Sequence, residues 1–270
     1  VTQLSTSDRA GSHIFDNDRS AASDRLRCLA DVLDRFTTDR LDYAGIPEGA
    51  RCLELGGGCG SIAVWMAEVS GPDGAVVATD VKPQHFQAHP RVSVVEHNLV
   101  TDALPAGPFD LIHARLLLAY LPSRRQILPR LVQALAPRGA LVVEEWGAAG
   151  PAGILTSAAP DAADLYQRYH HALLAVLVAQ GTDTAWCRQV PQAMLDAGLV
   201  DVDTETHARS WHGGSAGCRL PIAVFTAGWD QLVAHGADPE DLERLHDVLT
   251  DPRTVLLGDT TFSTVGRKTP

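Results

Sequence analysis

The run Glu54-Leu55-Gly56-Gly57-Gly58-Cys59-Gly60 sets the tightest limit on what this chain can fold into. It lies between an apolar segment, Arg51–Leu55, that reads as a strand, and Ser61–Val69, which reads as a helix. Gly56, Gly58 and Gly60, at alternate positions of the connection, lack a Cβ, as does Gly57. A turn built this way bends sharply and lets a ligand press against its backbone. Glu54 puts a carboxylate at the strand end, beside that turn.

The segments that follow keep the alternation. Residues 75–79, 92–95, 109–114 and 140–144 read as strands and 123–136 as a helix, with Gly, Pro and Asp between them. The unbroken apolar character of the strands fits a sheet covered by helices on both faces. The order predicts an α/β fold with a doubly wound, mostly parallel sheet. Upstream, Leu26, Leu29, Leu33, Phe36 and Leu41 recur at helical spacing after a polar arm over residues 1–18. Downstream, helices are predicted over 160–180, 191–197, 221–235 and 241–249, with strands over 200–206 and 261–266. Four consecutive stretches result: 1–44, 45–146, 147–190 and 191–270.

The chemistry of the turn narrows its ligand. A dinucleotide fingerprint needs G-x-G-x-x-G, but the third position is Ser61 counted from Gly56 and Ala63 counted from Gly58. Only the second frame is tolerable. A pyrophosphate also wants helix N-terminal amides with no carboxylate beside them. S-adenosylmethionine carries no phosphate, a cationic sulfonium and a free amino group, so Glu54 favours it. The run resembles the E/D-x-G-x-G-x-G motif of class I S-adenosylmethionine-dependent methyltransferases. Residues 45–145 are similar to the small-molecule methyltransferases of bacterial secondary metabolism.

The resemblance implies a set of cofactor contacts. Glu54, Gly56, Gly57, Gly58 and Gly60 form the turn, and Asp80, twenty residues after Gly60, takes the ribose hydroxyls. Val81 packs on the adenine. Asn98 stands where the family usually has Asp and accepts from the adenine amino group, with Leu99 beside it. His113 and Ala114 lie along the methionine end, and Asp110 braces the sheet. Pro137-Arg138-Gly139 resembles the turn before the fifth strand. The family also implies seven strands with an antiparallel last one, and an N-terminal helical lid with Phe15 ahead of it. A helical insertion after strand 5 builds the acceptor pocket, and S-adenosylhomocysteine is the product.

Methyl transfer from a sulfonium is a direct displacement, and a base is needed only where the acceptor must lose a proton. His113 is the candidate base, with a structural histidine as the alternative. Arg115, Glu145 and Trp146 at strand ends, and Tyr166, Tyr169 and His170 on the insertion, are the candidate acceptor contacts. His170 and His171 project about 100° apart on a helix and cannot easily share a ligand. No metal site is expected.

A formal net charge of -11 argues against a nucleic-acid partner, whose phosphates need Lys and Arg. The longest apolar runs, 116–121 and 172–179, fall far short of the roughly 20 residues of a membrane span. Five cysteines without a C-x-x-C pair predict free thiols in a reducing compartment, hence a cytoplasmic protein with no membrane partner. The expected activity is methylation of a small organic acceptor, at oxygen before nitrogen or carbon, in natural-product biosynthesis. A homodimer is one assembly open to it. The rivals are a cyclase or decarboxylase that keeps the cofactor, and an NAD(P)-dependent oxidoreductase.

Overall fold

The computed structural model describes residues 13–18, 22–147 and 152–270. In chain order its elements are α1 (Ala22–Ala44), β1 (Arg51–Leu55), α2 (Ser61–Val69), β2 (Ala75–Asp80), β3 (Val92–Glu96), β4 (Phe109–Arg115), a short 3-10 turn (Leu118–Tyr120), α3 (Arg124–Ala134) and β5 (Leu135–Gly147). There follow β6 (Gly153–Thr156), α4 (Ala162–Ala179), α5 (Trp186–Asp196), β7 (Val200–His207), β8 (Ser210–His212), α6 (Ala216–Ala227), α7 (Trp229–Ala234), α8 (Pro239–Thr250), β9 (Val255–Leu257) and β10 (Thr260–Arg267).

These elements form two compact units. The first covers 33–150, 183–207 and 260–270 and holds a seven-stranded sheet in the order β3-β2-β1-β4-β5-β10-β7. β1 to β5 run parallel, while β10 pairs antiparallel with both β5 and β7. The fold class and the antiparallel closing strand agree with the sequence reading. The second unit covers 1–32, 151–182 and 208–259 and holds a three-stranded sheet, β6-β9-β8. Both units are discontinuous, unlike the four consecutive stretches expected from sequence. The reason is local: β10 pairs with β5 from Thr260 to Arg267, which draws the chain's end into the main sheet. β6, β8 and β9 escaped prediction because strands of three or four residues carry no readable alternation.

Apolar packing explains why the main strands read as unbroken hydrophobic runs. Leu53, Leu55, Ile112, Leu141 and Val143 bury one face of the sheet with Leu128 and Leu131 of α3 and Trp186 and Val190 of α5. Cys52, Leu111, Ala140 and Val142 bury the other with Leu41 and Ala44 of α1 and Met66 of α2. Further along the same stretch of α1, the buried Arg40 guanidinium reaches Asp203 at 2.7 Å and Glu205 at 3.1 Å, both on β7.

The glycine turn between β1 and α2 is left-handed at three alternate positions, with φ of 65° at Gly56, 57° at Gly58 and 86° at Gly60. That conformation puts a Cβ too near the carbonyl oxygen that follows, which accounts for glycine at each. Space adds a second constraint. A Cβ on Gly60 would stand 2.7 Å from the Phe86 ring, and one on Gly57 2.4 Å. One on Gly56 would meet Leu117 at 3.2 Å. Gly60→Ala is therefore expected to destabilise the fold by about 2 kcal/mol or more in urea unfolding, from backbone strain plus the clash. Phe86→Ala should relieve the clash, so the double variant should lose less than the sum of the single losses. Strict additivity would remove Phe86 from this account.

Candidate active site

The C-terminal ends of the parallel strands gather the chemistry. At the end of β2, Asp80 Oδ2 accepts the Gly58 N–H at 3.2 Å and Oδ1 accepts the Lys82 N–H at 2.9 Å. The Gly57 N–H donates to the Thr79 carbonyl at 3.0 Å. The turn is thus held to the neighbouring strand by backbone and carboxylate together. Val81, next along, is 53% exposed and open to a ligand.

Glu54 and His113 occupy matching positions on β1 and β4, so their side chains share one face of the sheet. His113 Nδ1 lies 2.7 Å from Glu54 Oε2, and Nε2 lies 3.5 Å from Glu144 Oε2 on β5. His113 and Glu144 are completely buried. Burial alone would drive the proton off His113, but the two glutamates together outweigh it and raise its pKa to about 9. The imidazole is therefore an imidazolium at neutral pH, with a carboxylate facing each nitrogen. A general base needs a free lone pair and access to the acceptor. His113 has neither, so of the two sequence readings this geometry favours the structural histidine over the base.

Thr37 of α1 extends the cluster. Its hydroxyl donates to Glu144 Oε2 at 2.5 Å and accepts from Arg115 Nη1 at 2.9 Å, while Arg115 Nη2 reaches Asp34 at 2.9 Å. Arg115 thus pairs with a nearby carboxylate, Asp34. Glu145 is not an open acceptor contact. Its buried carboxylate accepts the Ala119 N–H at 3.0 Å, with Leu117 and Leu118 amides also directed at it. Burial pushes its pKa up to about 8, against the pull of those amides and of Arg124. It thereby holds the segment that carries Leu117 onto Gly56. The Trp146 indole N–H donates to Thr261 Oγ1 at 3.1 Å.

The remaining candidates divide. Asn98 is exposed, but its Oδ1 already accepts the Val100 N–H at 3.0 Å. Leu99 and Ala114 have their side chains in the core, so any ligand contact there falls to backbone. Asp110 accepts the Arg51 N–H at 2.8 Å, the bracing role expected. Tyr166, Tyr169 and His170 belong to the other unit, where Tyr166 stacks on His170 and Tyr169 meets Phe225 edge-on. Asp259, which the sequence reading missed, stands 3.5 Å from His170 Nε2. His170 is buried and His171 exposed, as helical geometry requires. Residues 1–12 and 19–21 of the expected arm and lid lie outside the described residues. The reading also missed Thr37 and Asp34, which carry no motif. Glu144 did leave a signal: a carboxylate directly after the apolar run Leu141-Val142-Val143.

A family profile described as "Methyltransferase domain" matches residues 22–206, more than half of the chain. The chain belongs to the methyltransferase domain family. It is 30% identical over 126 residues to Methyltransferase str3 of Strobilurus tenacellus, covering 45% of this chain and 44% of that protein. It is 31% identical over 127 residues to the trans-aconitate 2-methyltransferase of Azoarcus sp. (strain BH72), covering 46% of each. The matched stretch thus spans less than half the length of these relatives. The fold is shared with phosphoethanolamine N-methyltransferase 2 of Haemonchus contortus, solved with S-adenosyl-L-methionine (TM-score 0.56, 12% identity, 96% of this chain and 60% of that one). It is shared also with the YcgJ protein of Bacillus subtilis (TM-score 0.54, 12% identity, 88% and 99%).

The buried pair of ionisable sites makes stability depend on pH in one direction. His113 has its folded pKa raised from 6.5 to about 9, and Glu145 from 4.5 to about 8. A raised folded pKa stabilises fully below the unfolded value and loses that contribution as pH rises through the folded one. The melting temperature should therefore fall as the pH rises from about 5 to about 9. Glu145→Gln, which keeps the acceptor for the Ala119 N–H, should remove the part of the fall between about pH 5 and pH 8. An unchanged melting profile in that variant would contradict the assignment.

Proposed function

We propose that this methyltransferase-family chain passes the methyl group of S-adenosylmethionine to a small organic acceptor, at oxygen in preference to nitrogen or carbon. The observation that carries this reading is the charge around the glycine turn. Glu54 Cγ stands 3.2 Å from the position of a Cβ on Gly57, and Asp80 Oδ2 accepts the Gly58 N–H. Two carboxylates beside one turn repel a pyrophosphate and suit a ligand with a sulfonium, an ammonium and ribose hydroxyls. This favours S-adenosylmethionine over a nicotinamide dinucleotide.

In this reading Glu54 faces the amino group, Asp80 the ribose, and the Gly56–Gly60 backbone the body of the cofactor. Val81 covers the adenine and Asn98 offers it a polar edge, while the backbone of His113 and Ala114 borders the methionine end. The bound cofactor supplies a methyl group on a cationic sulfur, which a nucleophile displaces directly. The chain's own part is alignment, exclusion of water and a negative field. Trp146, at the end of β5, remains a proposed acceptor contact on the strength of its side-chain chemistry. The kind of acceptor is supported by relatives that carry small-molecule names, such as the trans-aconitate enzyme. The proposed setting is the cytoplasm of a bacterial cell, in natural-product biosynthesis. Among the described residues no helix is long and apolar enough to cross a membrane.

Calorimetry with S-adenosylmethionine, S-adenosylhomocysteine and NADH tests the reading. Binding of the first two at micromolar concentration, without the third, is expected. Asp80→Ala should weaken both by about tenfold, the loss of a charge-assisted contact to the ribose, with little change in melting temperature. NADH binding alone would overturn the proposal.

A further inference from the structure

Resting on that reading, we propose that Thr37, Glu144 and His113 form a positioning relay that holds Glu54 for the cationic end of the methyl donor. Seating of residues 33–44 of α1 and binding of the donor then reinforce each other. The relay runs through four elements. Arg115 is matched by Asp34 and donates to Thr37. Thr37, with its acceptor site taken, donates its proton to Glu144 Oε2. That same oxygen faces His113 Nε2, and His113 Nδ1 donates to Glu54 Oε2. Arg115 can only donate and the Glu144 carboxylate can only accept, which fixes the direction of both Thr37 hydrogen bonds, while the step from Glu144 to His113 is an ion pair at 3.5 Å. Glu54 Oε1, the far end of the chain, takes no hydrogen bond from the described residues and adjoins the glycine turn.

Two features make this more than a buried ion pair. The row interrupts an apolar face: Cys52, Leu111, Ala140 and Val142 precede it on the same strands and pack against α1 and α2. More hydrophobic residues would complete that face without the cost of dehydrating charges. The charges also do not cancel. Glu54 and Glu144 bring two negative charges against one on the His113 imidazolium, and Arg115 is already paired with Asp34. One negative charge is left over in a buried row that ends at the turn, where only a cationic ligand offsets it. His113 and Thr37 thus act on the ligand through Glu54 as positioning residues.

The test compares S-adenosylmethionine with 5′-methylthioadenosine, which keeps the adenosine but carries neither the ammonium nor the sulfonium. Binding to the wild type, Thr37→Val, Thr37→Ser and Glu144→Gln is measured by calorimetry, with hydrogen exchange followed over residues 33–44. Thr37→Val is expected to weaken S-adenosylmethionine about tenfold and methylthioadenosine less than about twofold, with Thr37→Ser restoring the difference. S-adenosylmethionine should slow exchange in residues 33–44 of the wild type and not of Thr37→Val. Glu144→Gln reports the same selectivity should Thr37→Val fail to fold. Equal losses for both ligands, or none for either, would overturn the relay while leaving the proposed function standing. A wild type that binds neither would sink both.

Discussion

The arrangement at the strand ends depends on one proton, the one that keeps His113 charged between Glu54 and Glu144. A carboxylate buried alone is unaffordable in a protein interior, and so is a pair of them. The imidazolium makes both tolerable, and it does so from the strand between them. Removing one partner of such a buried pair typically costs about 3–5 kcal/mol, since the survivor is left uncompensated. The exposed pairs Arg27–Asp24 and Arg35–Asp39 on α1 contribute at most about 1 kcal/mol each. The buried row therefore decides how β1, β4 and β5 meet α1.

Backbone conformation supplies the second constraint. The three left-handed glycines bend the chain out of β1 so tightly that Asp80 and Thr79 on β2 reach its amides. Phe86 and Leu117 then lie on the surface that the missing Cβ atoms leave free. Leu117 is held there through Glu145, whose carboxylate gathers the amides of the following turn. The two neighbouring glutamates of β5 thus face opposite sides of the sheet, as strand alternation requires, and brace different walls of one site. Glu144 meets α1, and Glu145 meets the segment after β4.

Much of this was legible in the sequence. Strand and helix order, the sharp glycine turn and the acidic strand ends at Glu54 and Asp80 follow from local pattern, and the antiparallel closing strand from the family resemblance. What sequence misjudged were the partners of polar residues. His113 read as a candidate base or a structural histidine, and Arg115 and Glu145 as acceptor contacts, because a strand end in this fold faces ligand by default. Each is occupied by groups from distant segments: Glu54 with Glu144, Asp34 with Thr37, and the amides of 117–119. No periodicity announces such pairings, because Thr37 and Glu144 are 107 residues apart and meet only once the sheet is built. The glycines show the same limit. The sharp turn they make was readable, whereas the aromatic and aliphatic side chains packed on them were not.

The electrostatics of the site and the fold's choice of ligand follow from the same fact. A phosphate site would place bare amides at the opening of α2, with nearby cations or no charge at all. Here the Gly58 amide is already taken by Asp80, and Glu54 stands against Gly57 with one oxygen uncommitted. The row behind Glu54 keeps more negative charge than positive, and its burial preserves that field, since little water is there to screen it. A sulfonium is attracted to such a field, and it loses its charge when its methyl group leaves. The same residues then hold the neutral thioether less firmly than the cation that preceded it. An acidic lining that costs stability in the empty protein thereby favours both arrival of the methyl donor and departure of what remains.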